Sequence, residues 1–496
     1  MGGTRLAGTL ALSLATFMGV LDISVANVAI PATAGDLGVS PDQGTWVITS
    51  FAVATAIALP LTGWLAQRIG AVRLFVVSVV LFTTLSFLCG VAPSIETLVV
   101  FRVLQGAAAG PMIPLSQVLL LRAYPPRQMG TALSALAVTT LAAPVVGPLL
   151  GGWLTDNWSW RWIYFVNVPV GMTCSLVAWR VFQPLETAIL RKALDATGLA
   201  LLIVWVGCLQ VTLDLGRHRD WFDSPLVLGL AIASALSFIL FLIRELAVDN
   251  PVVDLALFRI RNYSIGTLVL SLAYGLFLGN LVLLPLWLLQ HLGYTATLAG
   301  VVLAPVGVLS IAATPLVGRY VDRFDPRVMV SGSFVVFALS LWLRSRFSTD
   351  TDLTALMLPS LVQGAGTAMF FAPILALILA RVPPARVAAA SGVANFLRYT
   401  AGALGTSLIV TAWDWRSALH RSRLVESTYD GNAPLTELRG VLASAGFSPQ
   451  QQMAVIEQLV EQQASTLAVN DLFFSSAVSF VLLLPLLWMA SGPPDR

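Results

Sequence analysis

Residues 103–110 read VLQGAAAG and residues 361–368 read LVQGAGTA, so Gln105 of the first stretch matches Gln363 of the second. Each glutamine is followed by a Pro-Pro turn with a nearby arginine, at 125–127 and 383–386. A glycine-to-arginine stretch precedes each copy, at 63–68 and 318–323, and the copies are offset by about 255–258 residues. Duplication of this kind in a membrane chain is typical of a transporter built from two related helix bundles, with the substrate site between them.

The composition supports a membrane protein. Of 496 residues, 57% are hydrophobic and 11% are charged, whereas soluble domains carry about 25% charged residues. The formal net charge is +3, and no basic cluster suggests binding to nucleic acid. The three cysteines fall inside apolar segments, which disfavours disulfides, and no group of residues suggests a metal site. The sequence therefore predicts an all-α polytopic membrane protein.

A membrane-spanning helix needs ~20 mostly apolar residues. Fourteen segments meet this requirement, and they lie near 9–33, 45–66, 74–92, 96–120, 131–154, 162–181, 196–215, 225–245, 264–290, 298–318, 328–346, 354–379, 388–412 and 470–490. With the repeat, this pattern predicts a six-helix bundle over 1–182, a linker with two additional helices over 183–262, and a second six-helix bundle over 263–496.

The loops predict the orientation of the chain. Most arginines fall in loops on one side, while the short loops opposite carry only Arg161, Arg217, Arg219, Arg344 and Arg346. Because cytoplasmic loops are enriched in Lys and Arg, both termini are expected in the cytoplasm. A long polar segment at about 414–469 is then periplasmic.

Several stretches resemble the fourteen-helix drug:proton antiporters of the major facilitator superfamily. They are LDISVANVAIP (21–31), GWLAQRIGAVRL (63–74), FRVLQGAAAG (101–110), GPLLGG (147–152), WRWIYFVNVPVG (160–171) and PVVDLALFRIRNY (251–263). The resemblance covers essentially the whole chain and is closest to the inner-membrane subunits of tripartite efflux systems. It implies the major facilitator fold, a multi-pass protein of the bacterial inner membrane, and protons as the coupling ion with no other cofactor. Gln67 departs from the family pattern, since an aspartate usually stands there.

Two charged residues within the predicted spans need an explanation, because a charge at the bilayer centre costs about 2.5–3.5 kcal/mol even on mild scales. Asp22 lies ~20 Å along the first span, which places it ~10 Å from the far edge of a ~30 Å core. Arg102, whose counterpart in the second copy is the neutral Ser360, lies at almost the same depth. In the fold that the resemblance implies, both helices line the central cavity, so we expect the two residues to pair and to carry proton coupling. A static salt bridge is the alternative.

Other polar residues within the spans predict a sparsely polar substrate cavity, although each taken singly is more often a helix–helix hydrogen bond. They are Asn27, Gln105, Gln117, Asn280, Gln363, Asn395 and Arg398. Arg398 is a candidate for holding either an anionic substrate or a structural carboxylate. A second set is expected to serve gating, partly through the resemblance and partly through close helix packing at glycine and proline. It comprises Gly63, Arg68, Arg73, Gly147, Pro148, Gly151, Gly152, Gly318, Asp322 and Arg323.

The periplasmic segment contains a helix signature. Ser448, Pro449 and Gln451 form an N-cap, a first-turn proline and a capping box. Apolar residues follow at helical spacing, which predicts an amphipathic helix that rests on the membrane. The resemblance implies a second reading, in which this segment docks a periplasmic membrane-fusion adaptor that leads to an outer-membrane channel.

Proton-driven efflux of hydrophobic or amphipathic compounds is therefore the leading hypothesis for function. A narrower exporter of one metabolite, fatty acid or siderophore is the alternative, because the same motifs serve both. A membrane-embedded enzyme or receptor is disfavoured. The three histidines lie in loops or at helix ends without a nucleophile–base pair, and no nucleotide-binding motif occurs.

Overall fold

The computed structural model describes residues 2–125, 128–189, 195–216, 219–249, 251–321, 324–427 and 433–492, and these ranges contain helices and turns without a strand. The α-helices in chain order are α1 (Gly2–Asp36), α2 (Pro41–Ile69), α3 (Ala71–Gly90), α4 (Ile95–Ala109), α5 (Met112–Ala123), α6 (Met129–Asn157), α7 (Trp162–Phe165), α8 (Asn167–Phe182), α9 (Ala196–Gly216), α10 (Pro225–Ala247), α11 (Arg261–His291), α12 (Ala296–Val321), α13 (Pro326–Arg344), α14 (Leu353–Leu379), α15 (Val387–Ser427), α16 (Ala433–Ser444) and α17 (Pro449–Trp488). The predicted all-α class is confirmed.

Twelve helical segments of the described chain are long and apolar enough to cross a membrane. One of them, Ile95–Ala123, combines α4 and α5 across a break at Gly110 and Pro111. The twelve do not include α6 and α15, which the sequence analysis counts as spans. The predicted total of fourteen spans is therefore not confirmed, although α6 and α15 are 29 and 41 residues long.

The two copies of the repeat pack in the same way. In the first copy α1 packs on α6, α2 on α4, and α3 on both α4 and α8. In the second copy α11 packs on α15, α12 on α14, and α13 on both α14 and α17. Each copy encloses its own apolar core, with Phe75 and Phe82 fully buried in the first and Phe334 and Phe370 in the second. We refer to the two copies as the first and second bundle.

The helices α9 and α10 form a separate pair beside the cleft between the bundles. Trp205 of α9 contacts the rings of Phe238 and Phe241 on α10 and of Phe396 on α15. At the start of the pair, Arg244 donates two hydrogen bonds to Asp195, at 3.1 Å each, and this hydrogen bonding lowers the pKa of Asp195. The pair thus covers one side of the interface between α2 and α15, which both contact α9.

Both ends of the described chain lie at the same end of the molecule. Gly8 packs on Val181 and Phe182 at the end of α8, and Ala490 accepts a hydrogen bond from Arg327 at the start of α13. We call this the terminus-bearing end.

The bundles meet closely at the terminus-bearing end. A side chain at Gly63 of α2 would overlap the backbone of Ala389 on α15, and one at Gly392 would lie 2.5 Å from the carbonyl oxygen of Leu59. One helical turn away, the Gln117 side-chain oxygen accepts hydrogen bonds from Ser391 and Asn395. These contacts close the cleft at this end.

The structure corrects the prediction for the segment 414–469. The last span does not begin at residue 470, because α17 runs without a break from Pro449 to Trp488. Helices α15 and α17, of 41 and 40 residues, are each ~60 Å long, about twice the thickness of the hydrocarbon core. Their distal parts are joined by ion pairs from Arg421 to Glu457 and Glu461. The segment therefore forms a projecting hairpin with α16 near its tip, rather than a helix lying on the membrane, while the predicted cap at Ser448 is confirmed.

Replacing Gly63 with leucine should prevent the contact at the terminus-bearing end. Overpacking of this kind costs about 1–3 kcal/mol, which is enough to shift a two-state equilibrium by about 5- to 150-fold. The readout is maleimide labelling of a Ser391→Cys reporter, because Ser391 is buried in this contact. We expect faster labelling in the Gly63→Leu background. Gly207→Leu is the matched control, since no atom lies within 4 Å of a side chain added there. Equal labelling in both backgrounds would show that the contact does not hold this end closed.

Candidate functional site

A buried ion pair lies at the centre of the first bundle. The guanidinium of Arg102, on α4, donates a hydrogen bond from Nη1 to a carboxylate oxygen of Asp22, on α1. The Arg102 and Asp22 side chains are 0% and 1% exposed, respectively. The structure thus brings together the two residues that the sequence analysis expects to meet.

Neutral donors and acceptors complete the surroundings of this pair. Arg102 also donates to the carbonyl oxygen of Val47, at 2.9 Å, and to the side-chain oxygen of Gln105, at 2.8 Å. The other oxygen of Asp22 accepts from Gln105 at 3.3 Å and from Asn167 of α8 at 3.1 Å. The pair therefore ties α1 to α2, α4 and α8.

Both charges of the pair have favourable surroundings. Charge-assisted hydrogen bonds compensate the buried carboxylate of Asp22. The guanidinium of Arg102 also lies 4.2 Å from the centre of the Phe51 ring, where cation–π attraction stabilises its charge.

A cavity of about 370 Å³ lies between the two bundles. Side chains of α1, α2, α5, α9, α11, α14 and α15 line it, and most of the lining is apolar or aromatic. Its volume is in the range of small-molecule sites. Phe51 lines the cavity and also contacts Arg102, so a single aromatic ring separates the ion pair from the cavity.

Arg398 supplies the positive charge of this cavity. Its guanidinium lies 4.8–5.8 Å from the rings of Tyr274, Tyr399 and Phe371. The side chain is 4% exposed, and its Nε has no hydrogen-bond partner among the described residues. An aromatic cage holds this arginine at the cavity wall with unused capacity to donate hydrogen bonds.

The seven residues predicted for a substrate cavity lie in different parts of the structure. Asn27 and Arg398 line the cavity, whereas the described lining does not include the other five predicted residues. Gln105 belongs to the ion pair, Gln117 and Asn395 bridge the bundles at the terminus-bearing end, and Asn280 and Gln363 lie inside the second bundle. The sequence shows how deep a polar residue lies within an apolar span. Whether that residue faces the substrate depends on its hydrogen-bonding partner, which only the tertiary structure shows.

The sequence analysis also missed several lining residues. Five aromatic residues form much of the wall, namely Phe51, Tyr274, Phe277, Phe371 and Tyr399, and Gln210 contributes from the additional helix α9. Aromatic residues are so common in these spans that no sequence signal separates them from residues of the core.

The glycines predicted for gating lie in two kinds of surroundings. Side chains at Gly147 and Gly151 of α6 would collide with Ser24 and Val25 of α1, whereas the nearest atom at Gly152 is 3.9 Å away. Two of the three therefore allow close packing of α6 on α1. Pro148 is exposed.

The predicted charged residues of the loops have local partners. Arg68 lies 5.3 Å from the Trp64 ring, and Arg73 lies 3.9 Å from a carboxylate oxygen of Glu186. Glu186, which the sequence analysis missed, accepts hydrogen bonds from the backbone N–H groups of Val72 and Arg73. Gly318 is buried in α12, while Asp322 and Arg323 lie outside the described residues.

The second bundle also contains a buried arginine close to the position that the repeat aligns with Arg102. Arg344, assigned to a loop from the sequence, is the last residue of α13 and is fully buried. Its Nη2 donates to Ser360 at 3.0 Å and to Gln363 at 2.6 Å. Ser360 is the residue that the repeat aligns with Arg102, so a neighbouring helix supplies the arginine that this position lacks.

Comparison with known proteins identifies the family. The model of the Major Facilitator Superfamily matches residues 12–406. The chain belongs to the Major Facilitator Superfamily. A solved superfamily structure, that of the proton:xylose symporter XylE, superposes on the chain with a TM-score of 0.60 at 16% identity, covering 98% of this chain and 96% of that one.

Two curated proteins are similar to this chain over nearly their full length. The Multidrug export protein EmrB of Haemophilus influenzae is 46% identical over 99% of this chain and 97% of its own length. The Fatty acid resistance protein FarB of Neisseria gonorrhoeae is 43% identical over 98% of this chain and 96% of its own length. The superfamily fold places α1 to α8 and α11 to α17 as two related halves around one cavity.

Removing one member of the ion pair should destabilise the folded protein more than removing both. Arg102→Gln leaves Asp22 buried without its counter-charge, which costs about 3–5 kcal/mol. The double variant Asp22→Asn with Arg102→Gln removes both charges and should recover much of that loss. Thermal unfolding of the purified proteins in one detergent measures this. A double variant that is less stable than either single variant would contradict the pairing.

Proposed function

We propose that this protein is a proton-coupled antiporter that exports hydrophobic or amphipathic compounds across a bacterial inner membrane. The observation that carries the proposal is the juxtaposition of a buried Asp22–Arg102 pair with an apolar cavity between two bundles, one aromatic ring apart. The similarity to multidrug export proteins over nearly the whole chain supports the same function. The distribution of arginines supports a cytoplasmic location for both termini.

Proton coupling follows from how the pair joins the helices. Asp22 on α1 contacts α4 and α8, while Arg102 also holds the Val47 carbonyl of α2. When Asp22 binds a proton, the attraction between α1 and α4 weakens, and when it releases the proton the attraction returns. Because α1 and α2 also line the cavity, this change alters the walls that hold the substrate.

The closed contact at the terminus-bearing end matches one state of the transport cycle. With the termini in the cytoplasm, the described conformation is closed toward the cytoplasm. In such a state a periplasmic proton reaches Asp22 as the substrate leaves. The cycle then returns through a state that opens to the cytoplasm, where the proton leaves and a new substrate binds. Exchange of a proton for a substrate molecule requires that the proton stabilises one of these two conformations and the substrate stabilises the other.

Asp22→Asn should therefore fold and bind substrate but lose uphill, proton-driven export. Asp22→Glu should keep part of the activity, since it retains the carboxylate. The measurement is dye or drug uptake into inside-out vesicles under an imposed pH gradient, first with a panel of hydrophobic compounds on the wild-type protein. We expect export by Asp22→Asn to fall at least about a hundredfold, as for loss of an essential proton carrier. Undiminished gradient-driven export by Asp22→Asn would refute the proposal.

Arg398 favours a second candidate function, the export of amphipathic carboxylates such as fatty acids. A caged guanidinium with a free N–H faces an apolar cavity, and this combination suits a molecule with an apolar body and an anionic head. The similarity to a fatty acid resistance protein is consistent with it. In this case Arg398→Gln should abolish export of long-chain fatty acids, Arg398→Lys should keep part of it, and export of uncharged compounds should be unaffected by either.

The projecting hairpin of α15, α16 and α17 is the surface that we propose for a periplasmic adaptor of a tripartite system. It extends well beyond the membrane core and is braced at its base by Asp471, which pairs with Arg416 and His420. It therefore stands rigidly where a periplasmic partner can reach it.

Replacing residues 424–455 with a short Gly-Ser linker removes the tip of this hairpin and keeps its basal ion pairs. The shortened protein should transport normally in vesicles but lose resistance in intact cells, because only the latter needs delivery beyond the outer membrane. Drug susceptibility and vesicle transport are measured on the same protein. Full resistance in cells would refute adaptor docking at the tip.

A further inference from the structure

The second bundle contains a cluster that repeats the ion-pair cluster of the first. In the first bundle this cluster contains the ion pair and two neutral residues. The four residues are Asp22, Ser86, Arg102 and Gln105. The residues 258 positions later are Asn280, Arg344, Ser360 and Gln363. We call these four the second cluster. Both clusters contain one arginine, one serine and one glutamine, but the arginine and the serine have exchanged helices.

Hydrogen bonds join three members of the second cluster, Arg344, Ser360 and Gln363. Arg344 donates to the Gln363 side-chain oxygen at 2.6 Å, as Arg102 donates to Gln105 at 2.8 Å. Arg344 also lies 5.9 Å from the centre of the Phe473 ring, as Arg102 lies 5.6 Å from that of Tyr164. The duplication therefore extends from backbone packing to the environment of a buried guanidinium.

The decisive difference is the counter-charge. Asn280 stands where the first bundle has Asp22, and its amide is 1% exposed. Among the described residues, the Asn280 side-chain oxygen and the Nε and Nη1 groups of Arg344 have no hydrogen-bond partner. Asp471, on the adjoining helix α17, is engaged by Arg416 and His420. Within the part of the chain that the structure describes, Arg344 is thus a buried arginine without a carboxylate partner.

Asn280 and Gln363 line one small cavity that is too narrow for a water molecule. A carboxylate at position 280 would therefore sit next to the glutamine that already binds Arg344, as Asp22 sits next to Gln105. A buried charge without a partner is costly, so the second cluster offers a strong attraction to any carboxylate that enters it.

We propose that the second cluster is a silent counterpart of the ion-pair cluster in the first bundle, unable to exchange protons because Asn280 stands at the position equivalent to the Asp22 carboxylate. An amide does not bind or release a proton near neutral pH. Proton exchange therefore resides in the first bundle alone. This inference rests on the proposed function for its consequence in transport, but its structural part stands independently. Asn280→Asp should switch the site on by giving Arg344 a partner.

The structural part is tested by the stability of purified protein without any substrate. Asn280→Asp should raise Tm by about 2 °C or more at neutral pH, and the gain should vanish under acidic conditions that protonate the new carboxylate. Adding Arg344→Gln should abolish the gain. Asn395→Asp is the matched control, because Asn395 is equally buried but is bonded to Gln117 and Ser391 rather than to an arginine. A gain in the control, or none in Asn280→Asp, would overturn the inference.

The transport part is tested in the inactive Asp22→Asn background, with the panel compound that the wild-type protein exports. Asp22→Asn with Asn280→Asp should regain at least about a tenth of wild-type gradient-driven export, and Asp22→Asn with Asn395→Asp should regain none. Full activity of Asp22→Asn alone would defeat the proposed function and leave the stability test to decide the inference. If Asp22→Asn is inactive and Asn280→Asp does not restore export, the inference is refuted and the proposed function stands.

Discussion

A buried carboxylate facing a buried guanidinium is the interaction on which the arrangement of the first bundle depends. In a medium that supplies no water, each charge requires the other. Asp22 and Arg102 draw α1 and α4 together, and their remaining hydrogen bonds recruit α2 and α8. The pair therefore links four helices of the first bundle. Phe51 contacts Arg102 of the pair and also lines the cavity between the bundles.

The two bundles share packing but differ in the chemistry at equivalent positions. The first holds the Asp22 carboxylate opposite Arg102, and the second holds Arg344 bonded to Gln363, with Asn280 at the position equivalent to Asp22. The cavity between them is lined by both bundles and by Gln210 of the additional pair α9–α10. Close glycine contacts at Gly63 and Gly392 shut one end of the cleft. Duplication thus accounts for the shared packing, and divergence between the copies accounts for the different charges at equivalent positions.

The duplicated bundles can be predicted from hydropathy and repeat spacing, and the meeting of Asp22 with Arg102 from their similar depth together with the fold that the family resemblance implies. The sequence does not predict Arg344, since an arginine next to Ser345 and Arg346 reads as a loop until the helix and its neighbours α14 and α17 are seen to enclose it. Gln105, Gln117 and Gln363 look alike in sequence, and only tertiary partners separate an ion-pair ligand from an interface residue. The projecting hairpin was also missed, because its polar composition conceals that α15 and α17 continue from the membrane.

Infrared difference spectroscopy of purified protein tests most directly whether Asp22 exchanges a proton during the cycle. A protonated carboxyl group in dry surroundings has a carbonyl stretch that is distinct from that of a carboxylate. Spectra are recorded with and without a transported compound, for the wild-type protein and for Asp22→Asn. The account predicts that compound binding removes a protonated-carboxyl band in the wild-type protein and that this band is absent from Asp22→Asn. An unchanged difference band in Asp22→Asn would show that another group carries the proton.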